Sequence, residues 1–182
     1  MTVMTVLRRD RPWTVADLAD LPDDGLRYEL VDGTLLVSAA PSKVHQRVAG
    51  NLHLLLRAAC PADCEVFFAP TDYQPTSTRS LQPDLLVVSR ADPGDAAVTT
   101  PLVLAVEVLS PSSRSIDVVL KRELYEQAGV EQYWVVDPGE PSVTVWTRGS
   151  AGFGEPAVVT GDAELTLGGP VPVAVRPGDL LQ

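Results

Sequence analysis

Two stretches of the chain are almost wholly apolar: Asp84-Leu-Leu-Val-Val88 and, about two dozen residues on, Leu102-Val-Leu-Ala-Val-Glu-Val-Leu109. Short runs rich in β-branched residues read as strands, and strands apolar on both sides belong in a sheet that is covered on both faces. Each run carries one acid, Asp84 at the head of the first and Glu107 inside the second. An unpaired carboxylate in such surroundings costs on the order of several kcal/mol or is neutralised. Acids kept there are paired, bound to a metal or catalytic.

The rest of the chain supplies the cover. Thr14 reads as the cap of a short helix, Val15 to Leu21, stopped by Pro22. Arg27-Tyr-Glu-Leu-Val31, Asp32-Gly33 and Thr34-Leu-Leu-Val-Ser38 spell a β-hairpin. A long helix is expected from Pro41-Ser42 to Ala59, with Val44, Val48, Leu52, Leu55 and Leu56 at helical spacing. Strands follow at Glu65 to Ala69 and Thr71 to Gln74, then a polar, mobile loop over Thr76 to Gln82. After the second apolar run, Ser110-Pro-Ser-Ser113 turns the chain into a helix of about Ser115 to Ala128, closed by Gly129. Glu131 to Asp137 and Val143 to Thr147 read as a second hairpin, and short strand-like pieces fill the tail from Gly149. From residue 42 onward the order is helix, strand, strand, strand, helix, strand: an α/β fold with a mixed central sheet flanked by helices, plus an N-terminal hairpin and C-terminal strands.

With 182 residues, 45% of them hydrophobic, the chain is expected to form one domain, its core over about 12–148 and a β extension over about 149–182. No apolar run approaches the roughly 20 residues that span a bilayer. The first ten residues lack the apolar stretch of a signal peptide, so the expected location is cytoplasmic. Cys60 and Cys64 lack the spacing of a zinc pair and are expected to be free, at a helix end and a strand start. A net charge of −10 argues against an extended nucleic-acid footprint but leaves room for a small, locally basic site.

If the two apolar strands pair, Asp84 and Glu107 project from neighbours toward one edge. Two hard oxygen donors suit Mg²⁺, or Mn²⁺, which takes one or two carboxylates and completes its shell with water and phosphate oxygens. Such an ion activates water and polarises a phosphoryl group, and a nearby lysine can steady the developing charge. Lys121 is the candidate, on a helix stripe with Asp117 and Tyr125 four residues to either side. Plainer readings stand beside these: Asp84 as a turn residue after Pro83, Glu107 as the partner of Lys121 or Arg114 in a structural salt bridge, Lys121 as an exposed partner of Asp117, and Tyr125, Tyr133 and Trp134 as core.

Pro83-Asp-Leu-Leu-Val-Val88, Val106-Glu-Val-Leu-Ser-Pro-Ser-Ser113, Asp117-x-x-x-Lys121, Tyr125 and Ala128-Gly-Val-Glu-Gln-Tyr-Trp-Val-Val-Asp-Pro138 together resemble the putative restriction endonuclease family, within the PD-(D/E)XK nuclease superfamily. Arg27-Tyr-Glu-Leu-Val-Asp-Gly33 and His45-Gln46 fit as well, and the resemblance covers about residues 12 to 148. It implies a restriction-endonuclease-like fold and a Mg²⁺-dependent hydrolase of DNA phosphodiester bonds. Asp84 matches the Asp of the PD element and Glu107 its second acid. The superfamily's lysine normally follows that acid by two residues; Leu109 stands there, and Lys121 takes over from the next helix. Many such nucleases carry an acid on the first helix, but residues 42–59 hold none, and Glu29 on the hairpin is the expected third metal ligand. His45, Gln46, Ser113 and Arg114 are candidate substrate contacts, the last two through a turn that can offer backbone N–H groups to a phosphate. A homodimer with an interface around Trp134 and Trp146 is expected, since paired clefts can cut both strands of a duplex. The alternative is a nuclease fold kept as a catalytically inactive binding module.

Overall fold

A computed structural model describes residues 5–7, 9–110 and 116–182. The N-terminal hairpin forms as read. Strands β2 (Arg27–Val31) and β3 (Thr34–Ser38) pair antiparallel, with Leu30 opposite Leu35, after a short outer strand β1 (Thr5–Leu7). Its turn residues Asp32 and Gly33 have φ of 46° and 81°, the left-handed pair that a two-residue hairpin demands. Between β1 and β2, helix α1 runs only over Val15–Leu18, its Thr14 backbone N–H donating to Asp17 at 2.8 Å. It ends earlier than the sequence suggests, because the next residues tighten into turns: Asp20 N–H donates to the Asp17 carbonyl at 3.3 Å and Leu21 N–H to that of Leu18 at 3.2 Å.

Helix α2 (Lys43–Ala59) is capped by Ser42, whose Oγ accepts the His45 backbone N–H at 3.2 Å. It leads into β4 (Cys64–Phe68), and Cys60 and Cys64 are free at the helix end and the strand start. Strand β5 (Tyr73–Thr76) then meets a departure from expectation. The polar stretch after it is no mobile loop: Arg79–Leu81 forms β6, wholly buried, between β5 and β2. Burial is possible because its polar groups are satisfied. The Arg79 guanidinium donates to Asp32 Oδ1 from Nε at 3.0 Å and from Nη2 at 2.7 Å, and to Gln127 Oε1 at 3.0 Å.

The two apolar runs become β7 (Leu85–Ser89) and β8 (Leu104–Val108), antiparallel to one another. A π-helical turn, Ile116–Lys121, continues into α3 (Arg122–Gln127), and Gly129, at φ 81°, closes it. Strand β9 (Gln132–Asp137) returns parallel to β8 and pairs antiparallel with β10 (Ser142–Gly149). The tail adds β11 (Gly152–Phe153), β12 (Ala157–Thr160), the pair β13 (Leu165–Leu167) and β14 (Val173–Val175), and a 3-10 turn over Pro177–Leu181. Among the described residues the sheets are a seven-stranded mixed one, in the order β11-β10-β9-β8-β7-β4 with β12 also on β10, a five-stranded one, β1-β3-β2-β6-β5, and the two-stranded β13-β14.

Alternation along the central strands sends side chains into two cores. On one face Leu85, Val87, Leu104, Val106 and Trp134 pack against Val48, Leu52 and Leu56 of α2 and against Val171, Val173, Val175 and Leu180 of the tail. On the other, Leu86, Val88, Ala105, Tyr133 and Trp146 pack against Leu124 and Tyr125 of α3 and residues of the five-stranded sheet. Trp134 is fully buried and Trp146 is 8% exposed, so neither ring is offered to a partner surface: both are spent on the chain's own core.

Candidate active site

The pairing of β7 with β8 sets Leu85 opposite Val106, so one further step along the register sets Asp84 opposite Glu107. Directly opposed residues point to the same face; here it is the face of Leu86 and Ala105, covered by α3 and the five-stranded sheet. The sheet thus delivers two acids to one place from residues 23 positions apart, and both are buried, Asp84 at 4% and Glu107 at 1% exposure.

Three other elements converge on them. From β2, Arg27 and Glu29 share a strand face by their i, i+2 spacing. Arg27 Nη2 donates to Asp84 Oδ1 at 2.9 Å, and Glu29 Oε1 accepts the Gln82 backbone N–H at 3.0 Å. From the first turn of α2, His45 Nε2 lies 2.9 Å from Asp84 Oδ2, which also accepts the Val108 backbone N–H at 2.8 Å. From the junction of the π-helical turn and α3, Lys121 Nζ sits 2.9 Å from both Glu107 Oε1 and Glu29 Oε1. One helical turn on, the Tyr125 hydroxyl donates to the same Glu107 oxygen at 2.7 Å. Leu109, at the position two after the second acid, is buried in the apolar core. The ammonium that reaches Glu107 comes from the helix instead.

Burial opposes ionisation of Asp84, but the hydrogen bond with His45, the Arg27 charge and the Val108 N–H outweigh it and hold its pKa at about 2. Burial likewise opposes the charge on Arg27, yet Asp84, Glu29 and Glu107 together push its pKa above the ordinary value. The Tyr125 phenol is driven well above its usual range by burial and then by the Glu107 carboxylate, so it remains a donor.

Of the residues singled out in the sequence, Glu29, His45, Asp84, Glu107 and Lys121 therefore meet. Gln46 is exposed and lines a cleft of about 180 Å³ beside Asp84. Ser113 and Arg114 lie outside the described residues, as does the Asp117 side chain. Arg27 was missed, although its spacing from Glu29 was a readable signal, and Tyr125, read mainly as core, is also a hydrogen-bond donor in the site.

A family model described as "Uma2: Putative restriction endonuclease" matches residues 15–176. The chain belongs to the Uma2 family. A solved structure, a putative nuclease belonging to DUF820 from Anabaena variabilis ATCC 29413, superposes with a TM-score of 0.74 at 19% identity, over 93% of this chain and 98% of that one. That likeness establishes the restriction-endonuclease-like fold. No curated protein matches significantly. Among the described residues, no helix is long and apolar enough to cross a membrane.

Restriction-endonuclease-like nucleases generally use divalent metals, and the donors present suit a hard cation. Three buried carboxyl groups, Glu29, Asp84 and Glu107, converge here with Arg27, Lys121 and His45. No three His, Cys, Asp or Glu side chains among the described residues are grouped as a ready-made cage. A Mg²⁺ site needs none, since one or two carboxylates suffice when water and phosphate supply the remaining ligands.

The tyrosine gives a first test of the network. Tyr125→Phe removes one hydrogen bond to a charged, buried acceptor, worth about 1.5–3 kcal/mol. The melting temperature is expected to fall by roughly 3–12 °C in a thermal unfolding scan.

Proposed function

We propose that this protein is a divalent-metal-dependent endonuclease that hydrolyses phosphodiester bonds of DNA. The observation that carries this reading is the buried Lys121 ammonium held against Glu107, one strand away from Asp84, in a chain of the Uma2 family. Asp84 and Glu107 would hold Mg²⁺, or Mn²⁺ in its place. The bound ion would lower the pKa of a water and polarise the scissile phosphoryl group.

The chain's own side chains do the rest. Arg27 and the Val108 N–H fix the Asp84 carboxylate from two sides, and His45 takes its second oxygen from the end of α2. Lys121 offers N–H donors to an attacking water or to a phosphate oxygen as negative charge builds there. Glu29, whose Oε1 is shared by the Gln82 N–H and Lys121, positions the ammonium and stands as the third candidate ligand of the metal. Tyr125 restrains the Glu107 oxygen that faces the lysine.

The experiment is cleavage of supercoiled plasmid by the purified chain in Mg²⁺ or Mn²⁺, with EDTA and Glu107→Gln as controls. Nicking that requires the metal and disappears in the variant is expected. Cleavage equal in wild type and variant, or none with any metal, would sink the proposal in favour of a nuclease fold without catalysis.

A further inference from the structure

Beside Asp84 the structure holds a cleft that the hydrolytic chemistry leaves unused. It is lined by His45, Gly50, His53 and Phe68 together with Arg27 and Asp84, and its volume is about 180 Å³. A protein cavity of roughly 150 Å³ accepts a benzene ring, so this one has room for a single heteroaromatic ring system and not for a base pair.

Its walls suit such a ring. Phe68, the last residue of β4, is 58% exposed, an unusual position for a large apolar side chain beside a polar site. It pairs with His53 edge to face, the centroids 5.1 Å apart and the planes at 75°. An edge-to-face pair occupies one ring face only, so aromatic faces remain for a third ring to stack upon. On α2, Gly50 stands in the helix interior, where glycine is destabilising relative to alanine. A Cβ added there meets nothing within 4 Å, so nothing of the protein fills the space next to it.

The polar groups fit as well. His45 is 8% exposed, and with Nε2 on the ionised Asp84 carboxylate its Nδ1 is left buried without a protein partner. In the neutral ring that nitrogen is an acceptor. Charge agrees: Arg27 lines the cleft, and α2, its wall, carries Lys43 and Arg57 and no acid over Lys43–Ala59, while Arg47 turns to the Leu181 carbonyl, in a chain whose net charge is −10. A cationic helix beside aromatic faces is the pairing by which proteins hold unpaired strands.

We infer that this cleft is a nucleobase subsite, in which one unpaired base stacks on Phe68 and His53 while its phosphate lies at Asp84. The inference rests on the nuclease reading and narrows its substrate. A base within a duplex has both faces covered, so the nucleotide next to the scissile bond is single-stranded, splayed or flipped out of the stack.

The test is binding in Ca²⁺, a hard cation that supplies the charge a phosphate needs beside Asp84, with strand integrity checked on a gel, using a single-stranded DNA oligonucleotide carrying 2-aminopurine, the same strand with abasic positions, and a blunt duplex. Phe68→Ala, Gly50→Leu and Gly50→Ala are compared with wild type after thermal scans confirm folding. Phe68→Ala should weaken single-strand binding roughly 5- to 150-fold, the worth of one stacked base, and abolish the change in 2-aminopurine fluorescence. Gly50→Leu should block the cleft to a similar degree, while Gly50→Ala, which adds one methyl to open space, should not. If both bulk-changing variants bind like wild type, or the abasic strand binds as well as the intact one, the subsite does not exist; metal-dependent plasmid cleavage would then still uphold the endonuclease reading. Phe68-dependent binding by a protein that cleaves nothing would uphold the subsite and remove the catalysis.

Discussion

Asp84→Asn should leave a folded protein that nicks plasmid DNA at least about a hundredfold more slowly than wild type, with a melting temperature lower by roughly 2–12 °C. The substitution preserves shape, so the effect comes from charge and hydrogen bonding alone. Asp84 accepts from Arg27 at Oδ1 and from His45 and the Val108 N–H at Oδ2. An amide has one oxygen, so its NH₂ must face either the guanidinium or the Val108 N–H. His45 can change tautomer and accept; those two donors cannot. One buried donor is therefore left unmade, at about 1–3 kcal/mol. The loss of rate follows from removing a fixed negative charge where a hard cation is to bind. Calorimetric titration with Mn²⁺ checks it directly: wild type should release or absorb heat that the variant does not. A variant that nicks DNA at the wild-type rate would take Asp84 out of the chemistry.

The acids were legible because they break a pattern. A carboxylate inside Leu-Ala-Val-Glu-Val is conspicuous, and a two-residue alternation fixes which face it shares with its neighbour once pairing is assumed. The hairpin at Asp32-Gly33 was legible for a local reason, since few residue pairs accept two left-handed angles. Arg27 and Tyr125 were harder. A strand arginine beside a glutamate looks like solvated surface, and a helix tyrosine between leucines looks like packing. What makes each part of the site is its partner, at 57 and 18 residues' separation, which no local pattern encodes. The same holds for Arg79. Thr-Ser-Thr-Arg-Ser reads as a polar loop, yet a buried arginine with Asp32 on one side and Gln127 on the other makes it an inner strand that braces α3, the helix that begins just after Lys121.

Lys121→Met carries the larger expected cost in stability. Lys121, Glu29 and Glu107 are each no more than 3% exposed, and the ammonium lies 2.9 Å from one oxygen of each acid. Without it two buried carboxylates confront one another, at about 3–5 kcal/mol, which is a drop of roughly 6–20 °C in a domain of this size. A catalytic defect measured in that variant alone would be ambiguous, since a protein so weakened loses activity for lack of folded molecules. Glu29→Gln combined with Lys121→Met resolves it. The pair is neutralised together, Glu107 keeps its charge and its Tyr125 hydrogen bond, and much of the lost stability should return, a coupling that a double-mutant cycle reads as a non-additive term. Asp84 and Glu107 are both retained, so Mn²⁺ should still bind. Cleavage should nonetheless remain about 10²–10³-fold down, because no donor replaces the ammonium at the developing charge. Recovery of stability without recovery of rate would separate the two duties of the lysine. A stable double variant that cleaves as fast as wild type would reduce Lys121 to a counter-ion for the acids around it.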